Sequence, residues 1–337
     1  MLRQVIRLTQ PGVFRTHFTH EPLQRDAVVV RPKFLSICAA DQRYFQGIRP
    51  SETLRAKLPM ALLHEATAEV LYDPLGEFSV AEQVALIPCA ETGADGCPAN
   101  YRNNGLFHSS NCDGFTQEFL ALPHHQLVRL PDRGEKLWVF LELCSVCIHA
   151  VHRWRGAHPE AGSARVGIWG DGVMGYILAL TLRHLLPESH ITMIGRHPDR
   201  FSLFSFADAA IDVSSTQKRN VSHAFECVGG EGASSAIADI IANIRPAGVV
   251  VLLGVSESNP GINTRMILEK GLTLLGSSRS ARQDFLLALE MLGKPEIKRA
   301  LGRIVSHEVV VTDAASLRKG FQDDKKEAFK TILEWNI

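Results

Sequence analysis

Three short segments in the first half of the chain carry side chains that bind divalent metal ions. They contain Cys38 (in SICAAD), the adjacent pair His64 and Glu65 (in LLHEA), and Glu142 in the apolar run LWVFLELCSV. Cysteine, histidine and carboxylate together suit Zn²⁺, and a catalytic zinc site keeps one position open for water or substrate. A carboxylate in apolar surroundings needs a partner, either an arginine or a metal. A lone cysteine or histidine is more often a core residue, so only the combination suggests a metal.

A glycine motif in the second half of the chain has the form G-x-G-x-x-G and spans 170–175. It directly follows a strand candidate, Val166–Trp169, and opens an apolar segment with helical spacing. In that context the three glycines permit, in order, a tight turn, a close approach to a pyrophosphate, and close packing of helix on strand. The helix N-terminus offers free N–H groups to the phosphates. The predicted cofactor-binding glycines are Gly170, Gly172 and Gly175, against the alternative of a glycine turn without a ligand.

The end of the next strand candidate, Ile191–Ile194, distinguishes between the two nicotinamide cofactors. An NAD enzyme usually places a carboxylate about 20 residues past the glycines. Gly195 and Arg196 stand at that place, and Asp199 follows shortly after. An arginine instead of a carboxylate favours the 2′-phosphate of NADP, unless Arg196 is only a solvated loop cation. Exchanging Gly195 for Asp and Arg196 for a neutral residue should then shift the preference toward NADH.

Length and charge restrict the class of protein. The chain has 337 residues with 36 basic and 36 acidic side chains, so its formal net charge is zero. That balance argues against a general nucleic-acid or membrane-surface binder, which needs a basic excess. The N-terminal residues contain no apolar run of the kind that a signal peptide needs, so a cytoplasmic protein without a membrane segment is predicted. Its 7 cysteines are an odd number, which indicates thiols or metal ligands and not disulfides.

The apolar pattern changes twice along the chain and predicts two domains. The first part has short β-type runs separated by Gly and Pro, and the part after it alternates short apolar strands with helices. Such alternation is typical of a parallel sheet covered on both faces. Strand-like segments at 308–311 and 331–335 follow. We predict a β-rich catalytic domain at 1–145, an inserted dinucleotide-binding domain at 146–280, and a return of 281–337 to the first domain.

The order of these features resembles that of the zinc-dependent medium-chain dehydrogenases: a cysteine, a His-Glu pair, an inner glutamate and a glycine motif. The segment 142–150 is similar to the one that carries an extra glutamate ligand in polyol dehydrogenases. More specifically, the chain resembles the bacterial ribulose-5-phosphate reductases, which make ribitol 5-phosphate. That likeness covers nearly the whole chain and is carried by LSICAADQRY (35–44), IWGDG (168–172), AFECVGG (224–230) and LEKGLTLLGSSRS (268–280).

The resemblance implies an α/β fold in which a Rossmann domain, with a doubly wound parallel sheet, is inserted in a GroES-like catalytic domain. It implies NADPH and one catalytic zinc as cofactors, with Asp41 orienting the ligand histidine. Whether Glu65 or water fills the fourth zinc position stays open. Val228 and Gly254 join the cofactor-binding residues. The implied zinc-site residues are Cys38, His64, Glu65 and Glu142.

The implied reaction is the NADPH-dependent reduction of D-ribulose 5-phosphate to D-ribitol 5-phosphate, with zinc as a Lewis acid on the C2 carbonyl. In that family the product feeds CDP-ribitol synthesis for teichoic acids or related cell-envelope polymers. The substrate phosphate needs local cations, and arginine can hold a phosphate with two parallel N–H bonds. The candidates are Arg43, Tyr44 and Arg279, against the alternative of arginines in ordinary surface ion pairs. Arg49, Arg55 and Lys57 form a looser basic group.

The chain departs from the family pattern in two places. Many relatives have Ser or Thr two residues after the ligand cysteine, whereas Ala40 cannot relay a proton. Many also hold a structural zinc with four closely spaced cysteines, but the corresponding region has only Cys89, Cys97 and Cys112, so no structural zinc is expected. The Cys144-x-x-Cys147 pair has redox-motif spacing, but helical spacing beside an apolar run favours two core thiols.

The remaining expectations concern partners and rival functions. The strand candidate 272–276 could pair with its copy in a second subunit, as in dimeric relatives, and the resemblance also suggests association with a cytidylyltransferase. One alternative is an NAD-dependent polyol or sugar-alcohol dehydrogenase that acts on an unphosphorylated substrate. Another is a non-catalytic NADPH-binding protein that has kept the fold.

Overall fold

A computed structural model of the chain describes residues 1–22, 25–90, 101, 105–131, 134–158, 163–217 and 219–337. These residues form two compact units. The first consists of Met1–Glu142 together with Ser280–Ile337, and the second is Leu143–Arg279.

The helices and strands of both units follow in chain order. The strands are β1 (Leu2–Gln10), β2 (Val13–His20), β3 (Ala27–Ser36), β4 (Met60–Ala61), β5 (Glu65–Tyr72), β6 (Gln83–Leu86), β7 (Cys89–Ala90), β8 (Leu106–Phe107), β9 (Leu120–Pro123), β10 (Leu127–Arg129), β11 (Arg165–Trp169), β12 (His190–Gly195), β13 (Ala209–Asp212), β14 (Val221–Glu226), β15 (Ile244–Leu252), β16 (Thr273–Gly276), β17 (Val305–Val311) and β18 (Lys330–Trp335). The α-helices are α1 (Ala39–Gln46), α2 (Ser51–Lys57), α3 (Leu141–Ala157), α4 (Val173–Leu185), α5 (Ala233–Asn243), α6 (Thr264–Lys270), α7 (Arg282–Leu292), α8 (Pro295–Gly302) and α9 (Ala314–Asp324).

The first unit is built on a mostly antiparallel sheet with the strand order β10-β6-β5-β3-β18-β17, and β9 also pairs with β3. Val28 and Val30 of β3 are fully buried in the core of this unit, and Ala27 and Val29 beside them are buried too. The C-terminal strand β18 pairs antiparallel with β3 and parallel with β17, so the tail lies inside this sheet. Trp335 anchors its end, because the buried Nε1–H donates to the Gln117 carbonyl oxygen at 2.9 Å.

The second unit is built on a parallel sheet with the order β13-β12-β11-β14-β15-β16. Every neighbouring pair in it is parallel. Strands two and three in chain order lie on one side of β11 and the later strands on the other, which is the doubly wound arrangement with a crevice beside the first strand. The predicted α/β fold with a doubly wound parallel sheet is confirmed.

The apolar run that contains Glu142 begins as a 3₁₀ turn, Lys136–Phe140, and continues as α3. Helix α3 starts in the last residues of the first unit and continues into the second. None of the described helices is both long enough and apolar enough to cross a bilayer.

Candidate active site

The first unit brings Cys38, His64 and Glu65 together. Each offers one ligand atom, and the three atoms lie within 4.8 Å of one another, the one such group among the described residues. Strand pairing explains the approach. Glu65 opens β5 directly opposite Ser36, the last residue of β3, and Cys38 follows that strand as the N-cap of α1.

Asp41 orients the His64 ring through its Nδ1 atom. Its carboxylate lies 3.4 Å from His64 Nδ1, and it accepts hydrogen bonds from Leu63 N at 3.1 Å and from the Ser109 hydroxyl at 2.5 Å. Burial would lower the pKa of His64, but the Asp41 carboxylate and the Cys38 sulfur raise it well above its usual value. Because Nδ1 faces Asp41, Nε2 is the nitrogen left for a metal, which is the usual arrangement of a ligand histidine.

Glu65 is already engaged by a buried lysine. Lys330 Nζ donates to the two carboxylate oxygens of Glu65 at 2.8 and 2.6 Å and to the Ile37 carbonyl oxygen at 2.9 Å. The Ser36 hydroxyl also donates to Glu65. Burial would lower the pKa of Lys330, yet Glu65 and the nearby Cys38 raise it. The Glu65 carboxylate is therefore held at the site before any metal binds, and a metal competes with Lys330 for its oxygens.

Glu142 lies buried beside this group but is not a member of it at that spacing. Burial, reinforced by Glu65 and opposed by His64, raises the pKa of Glu142 to about 7. The donor set as a whole fits zinc, since sulfur, imidazole nitrogen and carboxylate oxygen converge at one point. The predicted ligands Cys38, His64 and Glu65 are thus together, with Glu142 next to them.

The predicted phosphate ligands are distributed over both units. In α1, Arg43 is half-buried, whereas Tyr44 is only 2% exposed and belongs to the core of the first unit. The guanidinium carbon of Arg49 stands 4.7 Å from the centre of the Tyr44 ring. Arg279 ends the second unit with φ +60°, a left-handed conformation that is uncommon for a side chain other than glycine.

The second unit has a cavity of about 390 Å³ at the carboxyl ends of its strands. It is lined by the glycine loop and by the end of β12, including Gly170, Gly172, Gly195 and Arg196. A Cβ at Gly175 would lie 1.8 Å from the Gly170 carbonyl oxygen, so α4 can pack on β11 only because that residue is glycine. A Cβ at Gly172 would meet no atom within 4 Å, which leaves this face of the loop open to a ligand.

Arg196 and Val228 both line this cavity. Arg196 is exposed, and among the described residues its guanidinium has no hydrogen-bond or ion-pair partner. Gly254 packs against the buried carboxylate of Glu226, which accepts hydrogen bonds from the N–H groups of Val228 at 2.8 Å, Gly229 at 2.8 Å and Gly254 at 3.0 Å. Glu226 therefore joins the two loops that hold the predicted cofactor residues.

Among the described cysteines only Cys38 belongs to the group of candidate metal ligands, and Cys227 lines the cavity of the second unit. Cys97 lies outside the described residues, whereas Cys89 is buried and Cys112 half-buried. Cys144 and Cys147 are buried thiols in α3 that form no disulfide, and the Cys147 thiol donates to the Met174 sulfur at 3.6 Å.

Comparison with known proteins gives these sites a context. Residues 24–132 match the family model "Alcohol dehydrogenase GroES-like domain". The ribulose-5-phosphate reductase of Bacillus spizizenii is 40% identical over 343 residues, which cover 100% of both chains. The chain belongs to the ribulose-5-phosphate reductase family. The ribulose-5-phosphate reductase 2 of Staphylococcus aureus is likewise 40% identical, with 100% of both chains covered.

A solved crystal structure has the same fold. The crystal structure of S. aureus TarJ in complex with NADPH matches with a TM-score of 0.88 and 37% identity, covering 100% of both chains. The predicted GroES-like domain and the predicted family are therefore confirmed.

Sequence reasoning missed several residues that hold the reductase sites in place: Ser36, Ser109, Lys330, Asp171 and Glu226. Lys330 stands 265 positions from Glu65, and Ser109 stands 68 positions from Asp41. No local pattern marks such pairs. Glu226 did carry a signal, because it is a carboxylate at the end of an apolar strand followed by two glycines.

Proposed function

We propose that the chain is an NADPH-dependent, zinc-assisted reductase that converts D-ribulose 5-phosphate into D-ribitol 5-phosphate. The full-length likeness to ribulose-5-phosphate reductases carries this proposal. The first unit would be the catalytic domain and the second the NADP-binding domain. The convergence of Cys38, His64 and Glu65 supports a metal-assisted reaction over a non-catalytic role for the fold.

When bound, zinc supplies a Lewis acid for the C2 carbonyl, and NADPH supplies the hydride that C2 accepts. The chain's own residues prepare this site. Cys38, His64 and Glu65 would hold the metal, while Asp41 fixes the ring of His64 so that Nε2 is available. Lys330 keeps the Glu65 carboxylate in place. Ala40 carries no hydroxyl, so the proton of the new C2 hydroxyl must come from another donor.

Two phosphate groups must be held by a chain without net charge. For the 2′-phosphate of NADPH we propose Arg196, because it lines the cavity of the second unit and has no partner among the described residues. For the substrate phosphate we propose Arg43 and Arg279, together with Tyr44. Because Tyr44 is buried, its role would be to support the Arg49 guanidinium, which stands 4.7 Å from the centre of its ring and is an additional candidate.

The test is a spectrophotometric assay of purified protein with ribulose 5-phosphate, xylulose 5-phosphate and ribulose, each with NADPH and with NADH, together with metal analysis. We expect oxidation of NADPH with ribulose 5-phosphate, and zinc close to one per chain. A preference for unphosphorylated sugar and NADH would instead identify a polyol dehydrogenase. No turnover together with less than about half a zinc per chain would identify a non-catalytic NADPH-binding protein, because this donor set should bind zinc tightly.

Three finer proposals accompany this function. The reductase would work in the cytoplasm, and its product would be activated by a cytidylyltransferase associated with it, for teichoic acid or a related polymer. It would form a homodimer through β16, because this strand is at the end of the parallel sheet in the described chain and so has a free edge. Light scattering on a sizing column tests the dimer, and a monomer at micromolar concentration would contradict it.

A further inference from the structure

Asp171, the first variable residue of the glycine motif, holds the end of the neighbouring strand. Its carboxylate accepts hydrogen bonds from Arg196 N at 2.8 Å and His197 N at 2.7 Å. It also lies 3.0 Å from His197 Nδ1. Because a carboxylate can only accept, the His197 nitrogen that faces it carries the proton. Burial would raise the pKa of Asp171, but the bonds from His197 and Arg196 lower it, so the group is ionised at neutral pH.

The missing side chain of Gly195 makes room for this carboxylate. A Cβ at Gly195 would lie 2.5 Å from Asp171 Oδ2 and 2.7 Å from its Cβ. NAD enzymes usually carry a carboxylate at the end of the second strand. In this chain the end of β12 has no carboxylate of its own, and the Asp171 carboxylate of the glycine loop lies there instead. The exchange of Gly195 for Asp suggested by the sequence would force two carboxylates into one space, so it is not a usable test of cofactor preference.

The hydrogen bonds of Asp171 determine which groups of residues 195–197 can still bind a cofactor. Two backbone N–H groups, which would otherwise be suitable donors for a phosphate, are occupied by Asp171. Asp171 lines the cavity but is only 7% exposed, and its oxygens already accept hydrogen bonds from Arg196 and His197. What the turn does present to the cavity is Arg196, an exposed cation without a partner among the described residues.

We propose that Asp171 is a positioning residue for cofactor choice: by fixing residues 195–197 it holds Arg196 where the 2′-phosphate of NADPH binds. The inference rests on the proposed use of NADPH. Two backbone N–H groups and His197 surround the carboxylate and offset its negative charge, so it does not repel a phosphate. Without Asp171 the turn loses its fixed geometry. The affinity for a ligand that contacts Arg196 then falls much more than the affinity for a ligand that does not.

The test compares the wild type with Asp171→Ala and Asp171→Asn for direct binding of NADPH, NADH, 2′,5′-ADP and 5′-AMP by calorimetry. A charge-assisted hydrogen bond is worth roughly a factor of ten or more in affinity. We therefore expect Asp171→Ala to lower the affinity for NADPH and 2′,5′-ADP about tenfold. The affinity for NADH and 5′-AMP should fall less than about twofold. Asp171→Asn keeps one acceptor oxygen and should fall between the two proteins. Asp199→Asn, at an exposed carboxylate of the same loop, is the control and should change none of the four.

Each outcome has one meaning. Equal losses of affinity for all four ligands would overturn the proposal, because they indicate a merely structural role. A greater loss for NADH would overturn it too, since Asp171 would then bind the ribose hydroxyl. Tighter binding of NADPH to Asp171→Asn would show that the carboxylate repels the phosphate. If the wild type itself prefers NADH, the proposed cofactor is wrong. If the wild type prefers NADPH and the variants keep the same ratio of NADPH to NADH affinity, only the role of Asp171 is wrong.

Discussion

Replacement of Lys330 by Met should destabilise the zinc-free protein by about 3–5 kcal/mol, the cost of breaking a buried ion pair from one side. Lys330 is 4% exposed and Glu65 is completely buried. The substitution removes three hydrogen bonds at once, two to Glu65 and one to the Ile37 carbonyl oxygen. Methionine fills a similar volume, so the loss comes from the unpaired carboxylate and not from a cavity.

Urea unfolding at pH 7 in the presence of a chelator measures this loss. Lys136→Met is the matched control, because Lys136 pairs with Glu308 on the surface, where the side chains are 40% and 53% exposed. An exposed pair contributes about 0–1 kcal/mol. The pKa of Lys330 is raised in the folded protein, so its contribution is fully present below its ordinary pKa of 10.5 and is lost only at higher pH. Titration of Lys330 itself therefore adds no pH dependence to this loss between pH 7 and pH 9.

The double variant Lys330→Met with Glu65→Gln separates charge from packing. Removal of both charges leaves no unpaired ion, so the double variant should recover most of the loss. A loss for Lys330→Met as small as that for Lys136→Met would refute the reasoning. So would a double variant that is less stable than the single one, because the carboxylate would then not be the cause.

The other predictions concern single positions. Ser109 has φ +64°, so Ser109→Gly should be about 1 kcal/mol more stable than Ser109→Ala in thermal unfolding, although both lose the bond to Asp41. Gly175→Ala should fail to fold or unfold at much lower temperature, whereas Gly172→Ala should keep wild-type stability but bind NADPH more weakly in a fluorescence titration. Arg279→Ala should raise KM for the sugar phosphate several-fold more than KM for NADPH, and equal effects would place this residue at the cofactor instead.

The sequence predicted those parts of the fold whose signal is local. The strands β11 and β12 were visible because strands buried on both faces are continuous apolar runs. β13 escaped notice because it is short and only partly buried. Residue types suggested a metal site and the family resemblance implied its ligands, of which Cys38, His64 and Glu65 lie together in the structure.

The residues that hold the ligands in place could not be found in that way. Lys330 and Glu65 meet only because β18 enters the sheet beside β3, at the opposite end of the chain. The hydroxyl of Ser109 reaches Asp41 from a loop whose conformation no sequence pattern marks.

One physical rule explains why these residues were not predicted from the sequence and yet are needed. Asp41 and Glu65 in the first unit, and Asp171 and Glu226 in the second, are ion-forming side chains in buried positions. A buried carboxylate is tolerated only when donors surround it, and each of these four is bound by donors from a segment other than its own strand or helix. Each therefore fixes two segments against each other before any ligand arrives. The loops around the metal ligands and the glycine motif are thus ordered by the protein's own charges, so cofactor and metal can bind without the cost of ordering them.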